Sequence, residues 1–258
     1  MDSIADRTQQ LLAETARLAR ASGRVADAVT LVGVSKTQTA ERIREAVAAG
    51  LRHVGENYVQ EALPKVAALA DLPVTWHFVG RLQANKTAVI AASFDWVHAI
   101  DRLRIAQRLN DQRPEDKGPL DCCIEVNLSG EETKGGATPA ELPALAAAIA
   151  GMPRLRLRGL MALPAATPDP LAQREPFARL RRLLEELRIA HPQLDTLSMG
   201  MSADIEAAIT EGATLVRIGT ALFGGRPPRE AQQEALPREP HEPREPHEPH
   251  EPQNGAPT

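Results

Sequence analysis

The stretch TLVGVSKTQTA, residues 30–40, begins as an apolar run and sets a lysine, Lys36, where the run stops. Lysine is scarce in this chain: Lys36, Lys65, Lys86, Lys117 and Lys134 are the only five, and arginine carries the rest of the basic charge. An ammonium at the apolar end of a strand pays a desolvation cost, which brings the neutral amine within reach. The neutral amine is the nucleophile that condenses with an aldehyde. A lysine so placed can equally snorkel out into water, so its neighbours decide its use.

Two glycine-containing segments near the end of the body offer an anion site. In SMGMSAD, residues 198–204, a turn leads to Ser202 just before a helical stretch at 203–211. That would put a hydroxyl at the helix N-cap, beside free N–H groups and the positive end of the dipole. In TLVRIGTALF, residues 214–223, Gly219 and Thr220 follow the apolar core of the run, and glycine lets backbone approach an anion closely. Each segment alone reads as an ordinary cap or strand bend; as neighbours they would form one oxyanion-sized site. No G-x-x-x-x-G-K-[ST] occurs, so this is not a P-loop. Arg217, between Val216 and Ile218, faces opposite to both, and a buried guanidinium needs an acceptor because it cannot shed its proton. It could pair with a carboxylate such as Glu125, or donate to a ligand ring nitrogen and hold it unprotonated. A reactive amine close to a phosphate site is what Schiff-base chemistry with pyridoxal 5′-phosphate (PLP) requires.

The elements that must position these groups alternate. Residues 1–22 have helical apolar spacing ended by Gly23. Strand-like runs follow at 30–35, 52–57, 75–80, 95–100, 120–128, 155–163, 195–200 and 214–223, separated by helical stretches at 39–49, 58–70, 84–92, 102–112, 138–150, 171–190 and 203–211. Eight strands and seven intervening helices, with one helix in front, fit a (β/α)8 TIM barrel better than an open doubly wound sheet. Arg158, Arg217 and Asn127 inside strands are polar residues that an enclosed site could use. In such a barrel, chemistry sits at the C-terminal strand ends, and phosphate after strands 7 and 8. That rule puts Lys36, Asn57, Ser202, Gly219 and Thr220 on one face.

At 258 residues, with 43% hydrophobic and 25% charged residues, the composition is that of a globular protein. No apolar run approaches the length of a bilayer span, and the polar N-terminus MDSIADRTQQ is no signal peptide. The net charge is −4; residues 229–258 hold three arginines and seven glutamates, so the tail carries it all and the body balances 27 basic against 27 acidic residues. With only 3% aromatics as well, nucleic acid is not an expected partner. Adjacent Cys122 and Cys123 form neither a disulfide framework nor a metal site, and a reducing, cytoplasmic setting is expected. Prolines 237, 240, 243, 246, 249 and 252 recur every three residues, the period of polyproline II. Residues 1–228 are therefore expected to form the barrel and 229–258 a disordered Pro/Glu/His-rich tail. The tail's His241, His247 and His250 are read as solvated rather than metal-binding.

The blocks GVSKTQ, GENYVQE, WHFVGRLQANK, LRGLMALP, LSMGMSADIEAAI and VRIGTALFG resemble, in order and spacing, those of the pyridoxal-phosphate homeostasis proteins (the YggS/PROSC family) over residues 5–226. The resemblance implies a single barrel like the N-terminal domain of alanine racemase, with PLP held covalently. It implies that Lys36 is the Schiff-base lysine, Arg217 the partner of the pyridine nitrogen, Ser202, Gly219 and Thr220 the phosphate ligands, and Asn57 a contact near the ring. The family is regarded as a cofactor-binding regulator of vitamin B6 and amino-acid pools.

Two readings of function follow. A carrier and buffer of PLP, without catalysis of its own, needs only the residues above; its partners would be PLP and PLP-requiring apo-enzymes, and a monomer suffices since no site element is missing from one chain. A PLP-dependent amino-acid racemase would need a second acid/base. The alanine racemase pattern takes that group from a tyrosine of a separate domain, which is not expected after residue 226. Tyr58 is the sole tyrosine, and His77, inside a strand, reads as a core histidine before a base. An unprotonated pyridine also weakens the electron sink. The carrier is the expected function.

Overall fold

The apolar runs become eight short strands: β1 (Thr30–Val34), β2 (His53–Glu56), β3 (Thr75–Phe78), β4 (Trp96–Ile100), β5 (Leu120–Glu125), β6 (Leu155–Met161), β7 (Thr196–Ser198) and β8 (Leu215–Ile218). The computed structural model describes residues 3–131 and 135–225. The chain divides into units 1–227 and 228–258; the second, with the expected tail and its three histidines, lies outside the described residues. Each strand pairs in parallel with the next, and β8 returns to β1 through Val32↔Arg217 and Gly33↔Ile218, closing the (β/α)8 barrel read from the sequence.

The α-helices form the outer layer: α1 (Ile4–Ala21), α2 (Ala40–Ala48), α3 (Val59–Ala68), α4 (Thr87–Ser93), α5 (Leu103–Gln112), α6 (Leu142–Ala150), α7 (Pro170–Arg188), α8 (Ile205–Thr210) and α9 (Thr220–Phe223). Ser3 and Asp6 start α1 with a reciprocal capping box. Ile43 of α2, Ile90 of α4, Ile105 and Leu109 of α5, Ile149 of α6 and Leu180 of α7 are fully buried in the core. Among the described residues no helix is long and apolar enough to cross a membrane.

Two strands end three or more residues before their apolar runs do. The run at 120–128 stops at Glu125, because Asn127 Oδ1 accepts from Ser129 Oγ (3.1 Å) and Gly130 N (3.0 Å) and bends the chain into a turn. The run at 214–223 stops at Ile218; Gly219 opens α9, which buries Leu222 and Phe223. A short apolar run satisfies a buried helix as well as a strand.

Close strand approach depends on two glycines. A Cβ on Gly159 of β6 would lie 1.9 Å from Thr196 O, and one on Gly80, just after β3, 2.1 Å from Asn57 O. Both obstacles are backbone, which cannot rotate away. Gly159→Ala is expected to lower unfolding stability by about 3 kcal/mol or to prevent soluble folding; an unchanged denaturation midpoint would contradict the tight β6–β7 contact.

Candidate functional site

The peptide leaving β1 is held rigidly. Ser35 N donates to Gly55 O (2.9 Å), Gln38 N to Ser35 O (3.0 Å), and Thr37 N to the Glu61 carboxylate of α3 (2.7 Å). Thr37 has φ 64°, the one non-glycine residue with positive φ among those described, a conformation that persists only where surroundings impose it. Beneath it, fully buried Glu56 accepts from Ser35 Oγ (2.5 Å) and Lys65 Nζ (2.7 Å), and Lys65 also donates to Ser35 O (2.8 Å). Burial pushes the Glu56 carboxyl above its ordinary range, against the pull of Lys65. The clamp fixes the backbone of Lys36 while leaving its side chain half-buried, with no hydrogen bond or ion pair to any described residue. Of two neighbouring lysines, Lys65 is locked into the scaffold and Lys36 is free.

Unmet acceptors gather at the same end. Glu56 Oε2, Asn57 Oδ1 and Gln38 Oε1 are buried without a hydrogen-bond partner, and the only other such atom among the described residues, Asp121 Oδ1, lies 3.4 Å from the Arg156 guanidinium. Buried acceptors left open in a native fold call for an explanation, and a ligand that brings donors supplies one.

The two segments read from the sequence as an anion site converge from β7 and β8. Arg217 N donates to Gly200 O (3.0 Å), joining the two. A Cβ on Gly219 would touch Val34 O at 3.4 Å, so β8 leaves the barrel against the end of β1, within a few residues of Lys36. Gly219 and Thr220 sit here as the sequence suggested. Ser202 is corrected in detail: α8 begins at Ile205 behind Asp204, and Ser202 lies exposed in the preceding turn rather than at the N-cap. Asp204 Oδ1 accepts instead from Met201 N (2.5 Å). Gly200, at φ 93°, makes that turn, and a Cβ there would meet the Ala208 methyl at 2.5 Å.

Arg217 faces the barrel interior, 5% exposed. It donates through Nη1 to Ser198 Oγ (2.5 Å) and through Nη2 to Ala162 O (3.0 Å). It makes no ion pair among the described residues, Glu125 included, and burial lowers its pKa to about 10. Three of its five N–H groups, including Nε–H, remain without a described acceptor. Arg158 does not join this site: it pairs with Asp195 (2.6 Å) and Asp121 (3.4 Å) and lies over Trp96. Asn127 shapes its own loop. His77 is fully buried between His53 and His98, 2.9 Å from each, the core residue expected. Sequence reading missed Ser198, His98 and the Glu56–Lys65 pair; the one visible signal was the i,i+4 spacing of Glu61 and Lys65.

A profile described as "Alanine racemase, N-terminal domain" matches residues 9–227. A pyridoxal phosphate homeostasis protein of Pseudomonas aeruginosa is 57% identical over 226 residues, covering 88% of this chain and 97% of the relative. This chain belongs to the pyridoxal phosphate homeostasis proteins. The relative from Escherichia coli K12 is 49% identical over 229 residues, covering 88% of this chain and 98% of its own. The structure of PipY from Synechococcus elongatus with PLP bound superposes with a TM-score of 0.74 at 39% identity, covering 86% of this chain and all of that one.

For a pyridoxal phosphate homeostasis protein, the residues present fit the cofactor. Lys36 and the glycine-containing segment after β8 lie at the ends of adjacent strands, and the Arg217 guanidinium has spare donors for an acceptor-rich ligand. Among the described residues there is no cluster of His, Cys, Asp or Glu able to hold a metal. The clamp under Lys36 predicts that Lys65→Met, which leaves Glu56 buried without a cation, destabilises the fold by about 3 kcal/mol at pH 8. The penalty should shrink as the pH falls, because a carboxyl whose pKa is already raised then takes up a proton in the folded state. Urea unfolding of both proteins between pH 5 and pH 8 measures this; a penalty that grows on acidification contradicts it.

Proposed function

We propose that this chain binds PLP and acts as its carrier and buffer, without a catalytic reaction of its own. The observation that carries the reading is the unpartnered Lys36 amine, held on a rigid turn beside the Gly219–Thr220 segment. When bound, the cofactor supplies an aldehyde that condenses with an amine and releases water. Lys36 Nζ would be that amine. Ser202, Gly219 and Thr220 would hold the phosphate, and Asn57 would lie near the ring. Arg217, which only donates, would face the ring nitrogen and hold it unprotonated.

The same residues favour a carrier over a racemase. Racemisation needs an acid/base on each face of the substrate, and only Lys36 is available to one of them. His77 is sealed in the core, and Tyr58, the N-cap residue of α3, is 55% exposed. A ring nitrogen facing Arg217 also withdraws less charge from a carbanion than a protonated one. PLP-requiring apo-enzymes as recipients, a monomeric state and a cytoplasmic setting complete the proposal. The free, buried thiols of Cys122 and Cys123 suit a reducing compartment.

The test is direct. Protein mixed with PLP, reduced with borohydride and digested should carry the adduct on the Lys36 peptide, and Lys36→Ala should fold normally and lose the adduct. An adduct that persists undiminished on another lysine would overturn the assignment. Incubation of the loaded protein with single L-amino acids should give no more D-isomer than free PLP does; faster turnover would favour the racemase.

A further inference from the structure

The barrel interior contains a polar path that the proposed cofactor chemistry does not use. His53 Nδ1 lies 2.9 Å from His77 Nε2, His77 Nδ1 2.9 Å from His98 Nε2, and His98 Nδ1 2.7 Å from Ser198 Oγ. Ser198 accepts in turn from Arg217. The path climbs β2, β3 and β4, crosses the interior to β7 and ends on β8. His77, His98 and Ser198 are fully buried, while His53 is half-buried and opens the other end. Trp96 stacks on His77 with ring centroids 5.5 Å apart.

The donors in this path are set by elementary accounting. Each nitrogen-to-nitrogen link needs one proton. A neutral imidazole has one N–H, so a ring that accepts at one nitrogen must donate at the other. The direction chosen at one end therefore passes through all three rings. Burial favours the neutral form throughout: it depresses His77 well below the usual imidazole range and His98 to about 3, with Arg217 adding to the effect on His98. The charged groups acting on the open end reduce to Asp95, which only partly opposes the depression at His53. Arg217 cannot accept, so it donates to Ser198, and the Ser198 proton then finds its acceptor in His98 Nδ1. His98 must donate from Nε2 to His77, and His77 from Nε2 to His53. The reverse order would aim two donors at Ser198 and leave its own proton unplaced.

We infer that Ser198, His98, His77 and His53 are positioning residues of the cofactor site: a one-way donor chain, oriented by Arg217, that fixes the guanidinium and keeps its spare N–H groups aimed at the mouth. The inference rests on the PLP-binding reading for its purpose but not for its geometry. The chain has a functional corollary. Because its donors all point away from Arg217, it offers no proton to a ring nitrogen in the mouth, and the unprotonated pyridine proposed above is maintained from behind.

The test separates the two claims. In cofactor-free protein labelled with nitrogen-15, long-range proton–nitrogen correlation spectra report which ring nitrogen of each histidine carries the proton. His53, His77 and His98 should all be Nε2–H tautomers; an Nδ1–H ring among them, or a charged ring at neutral pH, overturns the chain whether or not PLP binds. In Ser198→Ala the uniform pattern should be lost as far as His53, and PLP, titrated by absorbance, should bind about tenfold more weakly. Ser198→Thr should restore both. A His53 signal indifferent to Ser198→Ala, or unaltered PLP affinity with the tautomers scrambled, refutes the positioning role. Failure of the wild-type protein to bind PLP would instead refute the carrier reading and leave the tautomer result standing. Should Ser198→Ala not fold, the wild-type tautomers and the Ser198→Thr titration still decide.

Discussion

The parallel pairing of β1 with β8 is the constraint on which the site depends. Lys36 and Thr220 are far apart in the chain, and only closure through Val32↔Arg217 and Gly33↔Ile218 makes their strand ends neighbours. The same register sends Arg217 inward while its flanking residues, Val216 and Ile218, pack outward into the helical layer. An open sheet built from the same alternating elements would leave β1 and β8 on separate edges, with Lys36 and Thr220 unable to reach one ligand. Closure thus does for geometry what the individual motifs cannot.

A closed barrel also has to fill its interior, and this one fills part of it with polar groups. A guanidinium in the core without a counter-ion is costly unless its hydrogen bonds are met. Arg217 meets two of them through Ser198 Oγ and Ala162 O, and its other three N–H groups have no described acceptor. Replacing the path with packed aliphatic residues would stabilise a barrel whose only task was to stay folded. Its presence makes sense where an arginine must be held by one edge and offered by the other. Glu56 Oε2 and Asn57 Oδ1 are likewise buried without a hydrogen-bond partner, a cost that the fold alone does not explain.

The architecture was legible in the sequence because the apolar runs repeat at the spacing that strands and helices need, and because turn glycines punctuate them. What blurred was where a run stops. At 120–128 the deciding group is the Asn127 side chain, whose turn bonds compete with the ladder. At 214–223 Gly219 changes the backbone, while Leu222 and Phe223 stay as buried in a helix as they would in a strand. The places of Lys36, Arg217, Gly219 and Thr220 in the fold were legible because strand ends are defined places. The Ser202 detail was not, because a cap is set by local dihedral angles, and Asp204 is as good a capping residue as serine. The histidine path was invisible for a different reason. His53, His77 and His98 sit on consecutive strands, but the link from β4 to β7 runs through space that no periodicity in the sequence describes.

Lys36 and Lys65 differ in what their amines would have to give up to react. The Lys65 ammonium is tied to Glu56 and Ser35 O, with Glu61 3.7 Å away, so its donors are already engaged by the scaffold. Its reactivity toward an aldehyde would require dismantling the clamp that shapes the β1 turn. Lys36 has the opposite arrangement: its main chain is immobilised by Ser35, Thr37 and Gln38 while its side chain has nothing to release. A nucleophile that breaks no existing bond before it reacts, on a backbone already fixed in place, carries little reorganisation cost. The buried ion pair and the free amine are therefore two halves of one device, the first paying in desolvation for the rigidity that the second uses.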